Sequence, residues 1–332
     1  MSGAFSSLPP ITLQQAEDAL ACIPANVERS IWYSIAAALQ REYGDAAFPM
    51  FDEWSATADT YRRADCRDTW KSVARLTAYS VGTLLHHAKA HGYHRARVPS
   101  TPSERARLDY EASEREHTRK LRDARIKTQR DETQARAARR AQEIWEEQSA
   151  PEGGTHAYLQ RKGLNGAYGT RRTISDEPAL LVPMRDIAGM LCNLQFISPD
   201  GEKRFMRDGR VSDCYYALSE PADAARIIIC EGFATGASLA ECFSGAVIVA
   251  FNAGNLKPVA DALRIVFPTM PMVIAADWDT PTDGDGGTGY KAACAAAIAI
   301  DAEVWSPELI PVRNKTDFND SHLWQQQQRR AA

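Results

Sequence analysis

Acidic residues follow directly after two short apolar runs in the second half of the chain. Glu231 comes after residues 226–230, and Asp277 and Asp279 come after residues 272–276. Runs of this kind are typical of buried parallel strands, whose carboxyl ends form ligand sites at one edge of a sheet. Carboxylates, water and phosphate oxygens are the ligands that Mg²⁺ prefers. The pattern predicts a metal site for nucleotidyl transfer, in which two ions activate a 3′-hydroxyl and stabilise a leaving pyrophosphate.

Two interpretations of these acids compete. Carboxylates at strand ends often only cap the following helix, and a lone Asp-x-Asp pair would favour that interpretation. Asp277 and Asp279 point the same way, and so share one cation, only if the strand stays extended through Asp279. A third acidic segment, Thr316-Asp317-Phe318-Asn319-Asp320, favours the metal site and adds Asp317 and Asp320 as candidate ligands.

A glycine-rich segment at residues 283–291 precedes a predicted helix. Its glycines would let backbone N–H groups approach a phosphate, and Lys291 would add positive charge. The spacing does not match a P-loop, so ATP hydrolysis of that kind is not supported. A flexible surface turn explains the composition equally well.

Apolar runs and helical patterns alternate through residues 226–325. We predict strands at 226–230, 246–250, 272–276 and 303–304, and helices at 233–243, 255–266 and 288–300. Regular alternation of strand and helix is typical of a doubly wound α/β domain with a mostly parallel sheet. Such a sheet would bring the acidic residues to one edge.

Short strands and turns dominate the preceding region, residues 151–225. Apolar segments at 179–184 and 190–197 flank a turn that ends at Gly189. We predict a small mixed sheet in an α+β subdomain. It is rich in basic side chains, namely Arg171, Arg172, Arg185, Lys203, Arg204, Arg207 and Arg210.

The first 150 residues are predicted to be helical. Aromatic residues recur at helical spacing in a module at 12–95, and we interpret them as core rather than as a base-stacking surface. Basic residues near Trp70 fit either phosphate contacts or an ordinary solvated face. Residues 101–150 carry 12 Lys or Arg and 11 Asp or Glu, so a long exposed helix with i,i+4 pairs is predicted as a connector at 98–150.

The composition limits the class of protein. The chain has 332 residues, is 44% hydrophobic and carries a net charge of −4, which excludes a uniformly basic nucleic-acid coat but not local basic patches. Its seven cysteines form no Cys-x-x-Cys pair, so we expect buried free thiols and no zinc ribbon. No apolar run reaches membrane-spanning length and no signal pattern opens the chain, so a cytoplasmic protein without membrane contact is expected.

The motifs resemble those of a known family. Glu231-Gly232 and Asp277-Trp278-Asp279 are similar to the two signature motifs of Toprim domains. The longer segment from Glu231 to Gly236 resembles the Glu-Gly-Tyr-Ala-Thr signature of conjugative-plasmid and satellite-phage primases. Residues 182–218 resemble the basic subdomain that precedes the Toprim domain in primase cores. Residues 12–95 resemble the helical domain that accompanies such primases.

This resemblance implies a multidomain α/β protein: an all-α module at 12–95, the connector at 98–150, a basic α+β subdomain at 151–225 and a catalytic Toprim domain at 226–325. It implies catalysis by Glu231, Asp277 and Asp279 with Mg²⁺ or Mn²⁺, and metal binding by these acids together with Asp317 and Asp320. Arg185, Lys203 and Arg204 become candidates for phosphate contacts with template and nucleotide, as Lys291 already is.

The implied activity is synthesis of short RNA primers on single-stranded DNA from NTPs, during replication of a phage or plasmid. A replicative helicase or another replication protein is an implied partner. Two alternatives remain open on these residues. The same acids would serve a Toprim-type nuclease, and a non-catalytic accessory protein could use the basic sheet to bind single strands or a helicase.

Overall fold

The computed structural model describes residues 11–94, 101–222, 224–279, 287–307 and 315–331. The chain divides into two compact units, residues 1–130 and 131–332, and each is treated by itself. Within the described ranges, no helix is both long and apolar enough to cross a bilayer.

The first unit is built from short helices around an aromatic core. The helices are α1 (Leu13–Ala21), α2 (Arg29–Tyr43), α3 (Phe48–Ser55), α4 (Arg63–Val73) and α5 (Val81–Ala90), with a 3₁₀ turn at Gly44–Ala47. Phe51, Trp54 and Trp70 are buried, and the rings of Phe51 and Trp70 stack with centroids 5.3 Å apart. For these three residues the interpretation as core is confirmed, whereas Trp32 and Tyr61 are half-buried.

A single long helix, α6 (Pro102–Glu147), follows. The predicted charged helical connector is therefore present. In the first unit, Arg119 Nη1 of this helix lies 2.8 Å from Glu42 Oε2, and Asp123 Oδ2 lies 3.0 Å from Arg41 Nη2. These partly buried pairs attach the first half of α6 to α2, so this part of the helix is not a free arm.

The second unit begins with an antiparallel sheet. Its strands, in spatial order, are β1 (Ser149–Pro151), β2 (Arg171–Thr173), β3 (Leu180–Arg185), β4 (Leu191–Ile197) and β5 (Lys203–Phe205), and α7 (Ala157–Arg161) lies between β1 and β2 in sequence. All its strand pairs are antiparallel, so the prediction of a mixed sheet is wrong. The physical reason is that tight turns join β3 to β4 and β4 to β5, and a tight turn can only reverse the chain.

The second sheet carries the acidic residues. Its order is β11 (Glu303–Trp305), β9 (Met272–Ala275), β7 (Ile227–Cys230), β8 (Ala246–Val249) and β6 (Tyr216–Ala217). Only the edge strand β6 is antiparallel. Helices α8 (Phe233–Cys242), α9 (Ala253–Val266), α10 (Gly287–Ile300) and α11 (Phe318–Ala331) complete the domain. The predicted doubly wound architecture is confirmed, with element ends within two residues of the prediction.

Strand β6 corrects one assignment. In sequence, residues 215–218 group with the basic sheet, whereas Tyr216 and Ala217 pair with β8 in the parallel sheet. A single bridge between Arg185 and Tyr215 connects β3 of the antiparallel sheet to this point. Buried residues of both sheets, including Val182 and Ile228, belong to one hydrophobic core. The two sheets therefore form one packed body.

The condition for Asp277 and Asp279 to point the same way, a strand that stays extended through Asp279, is not met. Strand β9 ends at Ala275, and Trp278–Asp279 form a separate strand, β10, which pairs antiparallel with β12 (Lys315–Thr316). A carboxylate is costly to bury between two helical layers, so the chain leaves the sheet where the acids begin. The consequence is useful, because the ladder between β10 and β12 brings the segment containing Asp317 to the Asp-x-Asp motif.

Candidate active site

Glu231 and Asp277 lie at the carboxyl edge of the parallel sheet. Strands β7 and β9 are parallel neighbours, with Cys230 in register with Ala275. Glu231 follows Cys230 directly, and Asp277 comes two residues after Ala275. Both acids are half-buried. The sheet thus places the two predicted acids side by side at the edge where ligands bind in this class of fold.

Asp317 joins them from the other side. It follows β12 and precedes α11, where its Oδ1 accepts a hydrogen bond from the backbone N–H of Asp320 at 2.6 Å. Burial, together with the negative charges of Asp317 and Glu231, raises the pKa of Asp277 to about 7. The carboxylates of Asp317 and Glu231 are therefore close enough to act on Asp277 in a partly dehydrated place.

Two side chains counteract this repulsion at Asp277. The positive charge of Lys203 lowers the pKa of Asp277. The Thr235 hydroxyl, in the first turn of α8, acts in the same direction by donating a hydrogen bond to Asp277 Oδ1 at 3.4 Å. Neither is sufficient, because the pKa of Asp277 remains well above that of an ordinary aspartate. The site has an excess of negative charge that a cation would relieve.

Lys203 reaches this site from the antiparallel sheet. The residue is exposed on β5, but its ammonium end is close to the start of α8: a Cβ atom added at Gly232 would lie 3.9 Å from Lys203 Nζ. Burial of the ammonium lowers the pKa of Lys203, and the nearby charge of Lys162 lowers it further. Asp317, Asp277 and Glu231 act in the opposite direction. The ammonium of Lys203 therefore faces the three acids.

Arg204 and Arg185 are not brought to the carboxylates. Neighbouring residues of a strand point to opposite faces, and Arg204 forms a two-pronged ion pair with Glu202 at 3.0 and 2.7 Å. Arg185 donates to the carbonyl of Gly189 at 3.0 Å, within the turn between β3 and β4. Of the three predicted phosphate-binding residues of the basic sheet, the structure places Lys203 alone against the acids.

The remaining predicted residues are less closely associated with the acids. Asp320 is half-buried in the first turn of α11 and is not among the charges that act on Asp277. Lys291 is exposed on α10. The backbone of Asp279 lies in β10, whereas its side chain and the glycine-rich segment up to residue 286 lie outside the described residues.

The first turn of α10 packs close to Glu231. A Cβ atom added at Gly289 would lie 3.8 Å from Glu231 Oε2. The absence of a side chain at this position leaves the helix backbone near the carboxylate. The partial positive charge of a helix N-terminus favours an anion there.

Sequence reasoning missed three contributors. Thr235 lies inside the Glu231 motif, but no pattern assigned it a role. Lys162 follows α7 in a segment without any functional pattern, and Asn319 stood out only as part of an acidic motif. The buried Asn319 amide donates to the carbonyl of Lys162 at 2.8 Å and to Ser238 Oγ at 3.0 Å. It thereby ties α11 to α8 and to the backbone of Lys162.

The donor chemistry fits a divalent metal ion. Carboxylate oxygens are the preferred ligands of Mg²⁺ and Mn²⁺, and the pKa of Asp277 is raised by burial and then by the charges of Asp317 and Glu231, all of which a bound cation would offset. The carboxylates do not converge tightly on one point: among the described side chains, no three acidic, histidine or cysteine groups are close enough to hold a metal ion. The side chain of Asp279 is outside that set.

Family models match two parts of the chain. Residues 16–88 match the model described as Primase C terminal 2, or PriCT-2, and residues 226–327 match the Toprim domain. The chain is also similar to two Escherichia coli proteins named DNA primase TraC. The first is 35% identical over 163 residues, which cover 47% of this chain and 11% of that relative. The second is 33% identical over 218 residues, which cover 64% of this chain and 20% of that relative.

Two solved primase structures are among the structural matches. The primase fragment of the bacteriophage T7 primase-helicase protein has a TM-score of 0.41 and 17% identity, covering 56% of this chain and 74% of that one. The DnaG primase catalytic domain bound to ssDNA has a TM-score of 0.38 and 11% identity, covering 61% and 80%. The chain spans at most a fifth of the length of the TraC relatives it matches. It carries a PriCT-2 domain and a Toprim domain, and the resemblance inferred from the motifs is confirmed at that level.

Proposed function

From this domain composition and the homology to TraC, we propose that the chain is a DNA primase that makes short RNA primers on single-stranded DNA by metal-dependent nucleotidyl transfer. Its substrates are NTPs, and its role is replication of a phage or plasmid. The observation that carries the proposal is that the charges of Glu231, Asp317 and the Lys203 ammonium all act on Asp277 at one edge of the sheet that matches the Toprim domain.

The three carboxylates are the proposed ligands of Mg²⁺ or Mn²⁺, with Asp279 and Asp320 as further candidates. When bound, the ion supplies Lewis-acid stabilisation of the charge that develops on phosphate oxygens. Glu231 lies at the end of the central strand and is the proposed proton acceptor for the attacking 3′-hydroxyl. The hydroxyl of Thr235 orients Asp277 through its hydrogen bond. Asp277 must give up its proton before it can bind a cation.

Lys203 is the proposed anchor for the triphosphate. Its ammonium faces the acids and is partly dehydrated, so a phosphate that replaces water there gains a strong charge-assisted contact. Arg185, Arg204 and Lys291 remain proposed template or nucleotide contacts. Arg204 and Lys291 are exposed, and their guanidinium or ammonium groups would bind a strand that passes outside the metal site.

Primer synthesis is the direct test. The full chain is incubated with single-stranded DNA, labelled NTPs and Mg²⁺ or Mn²⁺, and the products are separated by size. We expect short oligoribonucleotides that depend on the metal and disappear in Asp277→Ala and Glu231→Ala variants. Degraded template would indicate a nuclease, and DNA binding without either product would indicate an accessory protein. Products unaffected by both substitutions would contradict the site assignment.

A partner helicase or another replication protein is part of the proposal. The TraC relatives are several times longer than this chain, so most of each relative lies outside the matched part. Co-purification of a replication protein with the tagged chain from infected or plasmid-bearing cells would test it. An inactive Asp277→Ala variant should retain the same partner.

A further inference from the structure

The helical first unit contains a polar cavity that the proposed catalytic site does not use. Its volume is about 290 Å³ and it opens between the start of α2, the end of α3 and the start of α4. The residues that give it chemical character are Arg29, Trp32, Ser55, Tyr61, Arg62 and Asp65. We propose that this cavity binds one nucleotide of a single-stranded nucleic acid, with the base against the aromatic residues and a phosphate against the two arginines.

The two arginines are available for an external anion. The side chains of Arg29 and Arg62 are exposed, and within the described part of the chain neither guanidinium forms a hydrogen bond or an ion pair. Arg63, the next residue, differs in this respect, because its Nε lies 3.6 Å from Asp52 Oδ2. Side chains that are charged, exposed and uncommitted are the ones that contribute to phosphate binding and to its salt dependence.

The backbone adds to the positive potential of the cavity. Arg29 is the first residue of α2 and Arg62 is the N-cap of α4, and neither helix has a side-chain cap. Two helix N-termini with uncapped N–H groups thus lie beside the two arginines, and both favour an anion. Asp65, in the first turn of α4, is the opposing charge in the lining. Its carboxylate can accept a hydrogen bond from the amino group of a base.

Hydrogen bonds and a ring contact hold the two aromatic residues that line the cavity. Trp32 is half-buried, its Nε1 donates to Ser55 Oγ at 2.9 Å, and its ring contacts Phe51 with centroids 5.2 Å apart. The Tyr61 hydroxyl donates to Asp52 Oδ1 at 2.8 Å. Both rings are therefore held before any ligand arrives. A rigid aromatic surface beside phosphate-binding cations is the arrangement that single-strand binding proteins use, and it tolerates any base.

This inference deepens the proposed function, because a primase would bind its template strand in this cavity. Only the identification of the strand as the template rests on the proposed function. The cavity gives the chain a template contact in the helical module. The inference concerns the first unit alone.

The test measures strand binding without catalysis. A fluorescent oligodeoxynucleotide is titrated with the full chain in the absence of NTPs and divalent metal, at several salt concentrations. The variant Arg29→Gln/Arg62→Gln should bind about tenfold more weakly, and its plot of log affinity against log salt should be shallower by about 0.7, because one phosphate contact is lost. Arg67→Gln/Arg75→Gln is the matched control, because both residues are exposed and neither lines the cavity. It should bind within about twofold of the wild type.

Photo-crosslinking supplies a second readout that does not depend on substitution. An oligonucleotide containing iodouracil should crosslink to Trp32 or Tyr61, as located by mass spectrometry. Crosslinks confined to other residues, together with unchanged binding by Arg29→Gln/Arg62→Gln, would overturn the inference. If free NTP displaced the labelled oligonucleotide as effectively as an unlabelled oligonucleotide does, the inference would also be overturned, because the ligand would then be a mononucleotide. Crosslinking to Trp32 without any primer synthesis would support this inference and count against the primase.

Discussion

Two strands that meet at the candidate active site differ in almost every physical respect. Strand β7 is the central strand of the parallel sheet, all four of its residues are buried, and it leads directly into Glu231. Strand β5 is the edge strand of the antiparallel sheet, all three of its residues are exposed, and it carries Lys203. The site takes its anions from the interior of one sheet and its cation from the margin of the other.

The difference has a physical basis. Carboxylates that repel one another stay close only if the backbone that carries them cannot move apart, and a strand hydrogen-bonded on both sides meets that need. A cation that must reach a passing phosphate benefits from a long, solvated side chain on an edge. We therefore expect substitutions on the β7 side to affect chemistry and folding, and substitutions on β5 to affect substrate binding.

The largest expected effect comes from removing charge at the acidic edge. Asp277→Asn keeps the shape and the Thr235 contact but removes a proposed metal ligand, so primer synthesis should fall by about 100-fold or more. Asp261→Asn is the matched control: it removes an exposed acid on α9 that pairs with Lys257 at 2.6 Å. That variant should retain nearly full activity. A residual rate above a tenth in Asp277→Asn would show that the cation is held elsewhere.

The next effect separates two neighbours on β5. Lys203→Ala should lower kcat/KM for NTPs about 10- to 100-fold, because a charge-assisted contact to phosphate contributes about 1.5–3 kcal/mol. Arg204→Ala should stay within about fivefold, since Arg204 faces the other way and pairs with the exposed Glu202.

Steady-state kinetics on one template measures both β5 variants. If the loss in Lys203→Ala lies mainly in KM, the lysine binds substrate; if it lies wholly in kcat, Lys203 acts in the chemical step instead. Equal losses in the two variants would contradict the assignment of opposite faces.

The central part of this comparison could be predicted from the sequence. Apolar runs that end in Glu231 and Asp277 are local signals, and strand alternation fixes which edge they share. The doubly wound order followed from the same alternation. The long charged helix also followed, because near-equal numbers of both signs over residues 101–150 have a helical explanation.

The parts that the sequence did not reveal depend on contacts between distant segments. Strands β10 and β12 have two residues each, too few for any periodic pattern, and their pairing is what brings Asp317 to Asp277. The contact of Asn319 with the carbonyl of Lys162 joins residues 157 positions apart. Lys203 and Arg204 are adjacent and both basic, so their residue types do not tell which one faces the acids. Only the register of β5 against β4 decides that.

A third prediction tests the rigidity of the β7 side through the glycine that ends the Glu231 motif. A Cβ atom at Gly236 would lie 2.7 Å from Val249 Cγ2 and 3.1 Å from Cys230 Sγ. Gly236→Ala should therefore destabilise the second unit by about 1–2 kcal/mol, the overpacking cost exceeding the gain in helix propensity. Gly153→Ala, where no atom lies within 4 Å of the added Cβ, should be neutral or slightly stabilising.

Urea unfolding reports the stability of the second unit in each glycine variant. The readout is the hydrogen-exchange protection of a peptide that contains β7. An unchanged midpoint for Gly236→Ala would mean that α8 can move away from β8. The acidic edge would then be less rigid than the comparison with β5 requires.

The smallest expected effect concerns the cost of keeping the acids together. The pKa of Asp277 is raised to about 7 in the folded chain, so between about pH 4 and pH 7 the folded state binds more protons than the unfolded state. The contribution of this group to stability is complete at low pH and is lost as the pH rises through 7. In metal-free buffer, the advantage of Asp277→Asn over the wild type should therefore appear above about pH 4 and be greater at pH 8 than at pH 5 by about 2 kcal/mol.

Adding Mg²⁺ at pH 8 sharpens the same measurement. The ion should stabilise the wild type by mass action and leave Asp277→Asn nearly unchanged, since it binds the ionised carboxylate in the folded state alone. The stability of each protein is measured at pH 5, at pH 8 and at pH 8 with Mg²⁺. The readout is the exchange protection of the β7 peptide, taken at a fixed pulse pH after equilibration in urea. If the advantage of Asp277→Asn is the same at pH 5 and pH 8, the carboxylates do not repel one another across the ends of β7 and β9. The ionised acids would then not lower the free energy of unfolding. Strands β7 and β5 would differ only in how exposed their residues are.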